Sequence, residues 1–259
     1  MPSTLLMRLS GPMQSWGTRS RFDSRDTELE PSKSGVIGLL CAALGRSKEN
    51  PVDDLAELVM GVRVDYEGVV SVDFHTAGKG LDNIANQIGV YSSSGGNTRR
   101  MVVSRRYYLS DADFLVGIEH QDPTLLKQLE TALRAPTWQI YLGRKSFVPS
   151  IPPSFPDPGG LRDGISVRRA LLQEPWPSTG IKKPSRRNPN QLRMILESDF
   201  GITNDVRMDQ PIGRSYQDRS FVTRGVQTEF IPLGPNSEKP NDEYIPIREE
   251  ENVSISSSS

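Results

Sequence analysis

Two pairs of adjacent arginines, Arg99-Arg100 and Arg105-Arg106, precede Tyr107 and Tyr108 in one short stretch. Guanidinium groups neutralise phosphates, and tyrosine rings offer a surface for an unstacked base, which is the combination used to hold single-stranded RNA. A solvated surface strand would carry the same arginines. The Gly-, Ser- and Asn-rich run from Thr76 to Asn97 ahead of them favours an arm used for binding. Gly143-Arg144-Lys145 adds two cations beside a residue that permits close backbone approach. Pro31-Ser32-Lys33-Ser34-Gly35 stands ahead of an apolar helix, where backbone N–H groups and a lysine point charge could hold a phosphate. The positions at which a nucleotide-hydrolase loop needs glycine are Ser32 and Thr27, so that chemistry is excluded. What stays open is a bare anion site on an RNA backbone, or an ordinary capped helix with a solvated lysine. His75, next to Thr76 and near Lys79, stands where a metal-independent ribonuclease could place an acid or base. No second such group accompanies it, so a histidine that positions RNA is the simpler account. No catalytic residue is assigned: neither a Ser-His-Asp nor a paired-carboxylate arrangement follows from spacing.

Composition narrows the chemistry further. One cysteine, Cys41, and two histidines in 259 residues leave no disulfide and no His-rich or Cys-rich metal cluster, and no cofactor is called for. The longest apolar run, Val36 to Leu44, is about half of what a bilayer-spanning helix needs, and the N-terminus lacks the order of a secretory signal. A cytoplasmic protein without membrane contact is expected. Lys and Arg total 31 against 32 Asp and Glu. The balance is uneven, because residues 236–259 hold six acids and two bases, a net −4 that leaves the preceding residues at +3. That acidic, Ser-ended tail has little to bury and reads as disordered.

The elements that must position these groups follow from periodicity. Thr4 to Leu9 reads as a core strand, stopped by Gly11-Pro12. Ser32 or Ser34 caps a buried helix that Gly45 ends. Pro51 to Met60 has an amphipathic helical pattern closed by Gly61. Val62 to Tyr66 and Val69 to Phe74 alternate across a Glu67-Gly68 turn. Strands over Arg99 to Leu109 and Phe114 to Ile118, a helix over Pro123 to Arg134 and a strand over Trp138 to Leu142 complete the first half. The resulting fold class is α+β, a ferredoxin-like (RRM/RAMP-type) βαββαβ domain whose four-stranded sheet leaves one face free for a partner. Residues 1–145 form this domain, with a protruding basic thumb hairpin inserted at 76–107. Residues 146–235, richer in proline, are assigned to a smaller C-terminal β-rich unit with candidate strands at Leu192 to Glu197, Phe221 to Val226 and Gln227 to Ile231.

Several blocks resemble a known family. Gly11-Pro12-Met13-Gln14-Ser15-Trp16-Gly17, Arg25-Asp26-Thr27, Pro31 to Leu40, Asp73-Phe74-His75-Thr76, Tyr108 to Ala112 and Tyr141 to Ser146 are similar, in order, to the CasD subunits (RAMP superfamily) of the type I-E CRISPR Cascade complex. The resemblance covers roughly residues 4 to 150 and fades beyond. It implies a non-catalytic subunit that holds the 5′ handle of the CRISPR RNA (crRNA) in antiviral defence, caps the backbone filament and reaches a thumb over the guide. Implied partners are the crRNA handle, the backbone subunit CasC, the large subunit CasA and, through the complex, target DNA. On this reading Gln14, Trp16, Lys33, Ser34 and His75 line the groove, Arg105, Arg106, Arg144 and Lys145 neutralise phosphates, and Trp16 or Tyr107 stacks a base. Related subunits of another subtype cleave RNA, so a metal-independent endoribonuclease that processes repeat RNA is the alternative.

Overall fold

The computed structural model describes residues 1–18, 24–77, 90–91, 97–98, 102–176, 190–198, 205–212 and 220–232. In chain order the elements are β1 (Ser3–Ser10), β2 (Met13–Gln14), β3 (Ser24–Arg25), α1 (Lys33–Leu44), α2 (Asp53–Ala56), β4 (Val59–Tyr66), β5 (Val69–Ala77), β6 (Val90–Tyr91), β7 (Asn97–Thr98), β8 (Val102–Ser110), β9 (Asp113–His120), α3 (Pro123–Arg134), β10 (Leu161–Arg162), α4 (Val167–Gln173), β11 (Gln191–Ser198), β12 (Val206–Ile212) and β13 (Ser220–Pro232). The fold is mixed α and β, with few helices on mostly antiparallel sheet. A seven-stranded sheet runs β10-β1-β9-β4-β11-β13-β12, every ladder antiparallel. A smaller sheet has β8 at its centre, with β5 along one edge and β2 and β3 along the other.

Strand alternation sends side chains of the large sheet to two different cores. Leu5, Met7 and Leu9 of β1, with Phe114, Val116 and Ile118 of β9, face α1 and α3. Helix α1 is apolar around most of its circumference and accordingly buried. Its first turn is capped by the Ser32 hydroxyl, which accepts from the Gly35 N–H, and its end by Gly45 at φ 69°. Asp122 caps α3, whose Leu126, Leu129 and Leu133 are buried. The intervening residues of the same strands, Leu6 and Leu115, pack with Met194 and Leu196 of β11 against Val167, Ala170 and Leu171 of α4. Both faces are therefore covered, and the expectation of a free sheet face is corrected: α4, unread in the sequence, occupies it.

Two glycines explain how α4 fits. Gly61 and Gly117 are register partners on β4 and β9, and a Cβ on either would stand 2.8–2.9 Å from the Val167 Cγ2. Gly61 thus lies within a strand instead of ending a helix. The helical pattern at Pro51 to Met60 yields the single turn α2, because Met60 is needed in the core between α1 and the sheet. Arg63, nearly inaccessible, donates to Asp65 (2.7 Å) and to the Leu171, Glu174 and Pro175 carbonyls at the end of α4, and Arg8 donates to the same Asp65 at 2.6 Å. Freed carbonyls at a helix C-terminus favour a cation there.

The region 146–235 is not a separate unit. Its strands β10 and β11 pair with β1 and β4 of the first half, and β13 and β12 extend the same sheet. Trp138 to Leu142 is not a strand: the Thr137 and Trp138 N–H groups bond the Ala43 and Ala42 carbonyls at the end of α1, and β10 takes the place beside β1. The two strands expected between Phe221 and Ile231 are one, β13. Pro211 is accommodated because β12 is an edge strand. Of the expected thumb, β5, β6, β7 and β8 are seen, while Arg99, Arg100 and the acidic tail lie outside the described residues. We expect Gly61→Val to lower the unfolding free energy by about 1–3 kcal/mol, through crowding against Val167 and Leu171. Denaturant unfolding measures this, and an unchanged midpoint would show that α4 has room to move.

Candidate nucleic-acid interface

The loop after β1 is built inward. Gln14 donates from Nε2 to the Leu9 (3.1 Å) and Ala112 (2.9 Å) carbonyls, and its Oε1 accepts from the Trp16 indole at 3.2 Å. Trp16 is 1% exposed, and its backbone N–H bonds the Thr27 hydroxyl at 2.9 Å. Neither residue presents a face to a ligand, which corrects their assignment as contacts. They are the frame that holds β2 and β3 against β8. The sequence could not separate the two roles, since a buried and a stacking tryptophan look alike.

Lys33 is corrected as well. Its ammonium bonds both carboxylate oxygens of Glu197 (2.9 and 3.1 Å), while its backbone N–H, at the start of α1, donates to Asp209 Oδ2 at 2.7 Å. Arg224 donates to the same Asp209 at 2.7 and 3.1 Å. The positive end of the helix is thus neutralised from within, and its anion is a carboxylate of β12. Burial pulls the Lys33 ammonium below its usual range, and Glu197 counters part of that. Ser34, next to Lys33 in the first turn of α1, is half-buried. Glu30 is tied off similarly, by Arg193 (2.8 Å) and Arg207 (3.0 Å).

The smaller sheet is the open one. Register partners share a face, so Asp73 with Arg106, and His75 with Ser104, lie on one side, and Arg25 joins them because it pairs with Arg106 across the parallel β3–β8 ladder. Phe74 with Arg105, Val72 with Tyr107 and Val70 with Leu109 lie on the other. The two arginines adjacent in sequence therefore point apart. Arg144 Nη2 donates to the Tyr107 carbonyl at 2.8 Å, and its guanidinium lies 5.4 Å from the centre of the Phe147 ring, which packs on Tyr108. Gly143 makes this possible: at φ 89° a Cβ would coincide with the Ser15 carbonyl oxygen. Burial draws the Arg144 guanidinium below its usual range, and repulsion from Arg106 and Arg25 adds to the effect, with Asp73 and Asp26 opposing it.

Three arginines converge where an anion would relieve their repulsion. Of the sequence candidates, Arg106, Arg144 and His75 come together on or beside this face, and Lys145 is exposed next to Arg144. Arg105 and Tyr107 belong to the opposite face. Arg25 escapes sequence reasoning because, within an Arg- and Asp-rich loop, it reads as ion-paired. Only its parallel pairing with β8 places it here. Among the described residues no three His, Cys, Asp or Glu side chains form a metal-binding group, and no helix is long and apolar enough to cross a membrane.

The description that fits such a chain comes from comparison with known proteins. A family model described as "CRISPR-associated protein (Cas_Cas5)" matches residues 4–227. The chain belongs to this family. A curated relative, "CRISPR system Cascade subunit CasD" of Escherichia coli (strain K12), is 33% identical over 152 residues, which cover 56% of this chain and 67% of the relative. A solved chain described as "Crystal structure of Cas protein" is 42% identical with a TM-score of 0.67, over 88% of this chain and 95% of that one. Another, from a "CRISPR RNA-guided surveillance complex", is 34% identical with a TM-score of 0.67, over 92% and 96%. The resemblance read from the sequence blocks is thereby borne out, and the match extends well past residue 150. For this Cas5-family chain, Asp209→Ala should cost about 3–5 kcal/mol of stability, because it removes the hydrogen-bonded carboxylate from the buried Arg224 and from the Lys33 N–H at the start of α1. Chemical denaturation checks this, and a loss below about 1 kcal/mol would show the knot to be dispensable.

Proposed function

We propose that this chain is a non-catalytic crRNA-binding subunit of a type I-E Cascade surveillance complex in antiviral defence, holding the 5′ handle of the crRNA and capping the backbone filament. The observation that carries the reading is the arginine convergence on the exposed sheet: Arg144, braced on the Tyr107 carbonyl, faces the field of Arg106 and Arg25. Phosphates bound there gain charge-assisted hydrogen bonds and lower the local repulsion. Lys145 extends the site, and His75 lies along β5 for a flanking nucleotide.

The reverse face supports the partner half of the reading. Phe74 is 63% exposed, with Val70 and Val72 also exposed on the same side of β5. Apolar side chains in such a row suit a protein surface, that of an adjacent CasC-type backbone subunit, with a CasA-type large subunit and target DNA reached through the assembly. The order β1-α1-β4-β9-α3-β10, with strands arranged β10-β1-β9-β4, supports a ferredoxin-like RAMP core. A complex that handles CRISPR transcripts belongs in the cytoplasm.

Arg25→Glu with Arg106→Glu should weaken crRNA binding at least roughly tenfold and reduce the slope of log affinity against log salt by about 0.7 for each phosphate that is no longer neutralised. Folding should be retained, since both are surface strand positions. Filter binding at several salt concentrations measures it, and unchanged affinity would remove the arginine face from the site. Phe74→Asp should leave RNA affinity intact and reduce recovery of the chain with the other Cascade subunits on co-purification. The endoribonuclease alternative predicts cleavage of repeat RNA in EDTA that is lost in His75→Ala, a result that would overturn the non-catalytic reading.

A further inference from the structure

The arginine face contains a carboxylate that phosphate binding does not need. Asp73 is exposed on β5 and is the register partner of Arg106. Arg106 does not turn to it: its Nε donates to the Ser104 hydroxyl at 3.2 Å. Among the described residues Asp73 makes no hydrogen bond or ion pair. Acids beside arginines elsewhere are engaged: Asp65 with Arg63, Asp209 with Arg224, Glu30 with Arg193, and Asp54 with Arg46. Asp73 acts on Arg144 only through its field, and a carboxylate held by no hydrogen bond repels a phosphate bound beside it, so it lowers backbone affinity unless its oxygens meet donors of the ligand.

We propose that Asp73 is a specificity-determining residue that accepts the Watson–Crick-edge donors of a splayed base, guanine above all, while Arg106 and Arg144 hold the phosphate beside it. The inference rests on the RNA-binding reading above and deepens it. A guanine edge offers N1–H and N2–H side by side, which match the two carboxylate oxygens. Cytosine and adenine each offer one exocyclic amino group, and uracil presents two carbonyl acceptors flanking a single N–H, so it is disfavoured. A carboxylate in its ionised form only accepts, so it selects for donors. His75 lies on the same face two residues further along β5, about 6.8 Å away. Phosphate contacts set the register of the strand, and Asp73 reads what that register delivers.

The test uses the full chain and labelled oligouridine of roughly twelve nucleotides, a length within the span of single-strand sites. Three further probes carry one central guanosine, cytidine or adenosine. Wild type should bind the guanosine probe roughly tenfold more tightly than oligouridine, with cytidine and adenosine between. Asp73→Asn and Asp73→Ala should abolish that preference while oligouridine affinity stays the same or rises. Two results would overturn the inference: equal wild-type affinity for all four probes, or a uniform rise in both Asp73 variants with the preference intact, the behaviour of a carboxylate that merely tempers the arginines. Arg25→Glu with Arg106→Glu separates the levels. If that variant weakens every probe, the RNA-binding reading holds whatever Asp73 does. If it weakens none, that reading falls and the inference falls with it.

Discussion

Everything at the exposed sheet depends on one close approach, that of Gly143 to the Ser15 carbonyl. No residue with a side chain can stand there, because its Cβ would coincide with that oxygen. The contact joins two loops distant in sequence. One carries Gln14 and Trp16, whose hydrogen bonds set the path from β2 to β3, and the other delivers Arg144 to the Tyr107 carbonyl. From this follow the parallel placement of Arg25 beside Arg106 and the guanidinium packed over Phe147. The placement of these arginines is therefore fixed by backbone packing rather than by flexible side chains finding one another, the preorganisation that the proposed anionic ligand would use.

The large sheet offers little open surface at its centre. Its two faces are closed by α1 and α3 on one side and by α4 on the other. The helix terminus that most resembles an anion site already holds Asp209. The charges around it, the buried Lys33, Asp209 and Arg224 and the half-buried Glu197, carry little net attraction once desolvation is counted. What they supply is specificity of arrangement: each would be costly to strand, so the C-terminal strands have one way to sit against α1. The large sheet is a scaffold, and the binding proposed above falls to the smaller sheet that continues from the ends of β4 and β9.

Much of this was legible in the residues. The cap of α1, the span of α3, the β4–β5 turn and the position of β9 follow from local signals, Ser32, Pro123 and Gly68 among them. The exclusion of a nucleotide-hydrolase loop needed only the missing glycines. The errors are long-range. Nothing around Lys33 announces a partner 164 residues away, and nothing around Trp138 shows that its N–H will serve α1 instead of a sheet. Pro-rich texture suggested a separate unit beyond Ser146, but texture describes loops and is silent about which strands pair. The divergence of Arg105 and Arg106 was available from the strand period alone. Adjacent strand residues face opposite ways, so a pair of arginines in a strand marks two surfaces.

The charge knot at α1 also has a consequence for how the molecule comes into being. Lys33 must wait for a carboxylate at position 197 and the start of α1 for one at 209, so three quarters of the polypeptide has to leave the ribosome before the earliest helix can bury its ammonium. Until then the nascent N-terminal half holds a solvated lysine where the finished core requires a neutralised one. Topology of this kind places closure of the core late and makes it concerted, because such distant pairings give no reward before the loop between them is closed.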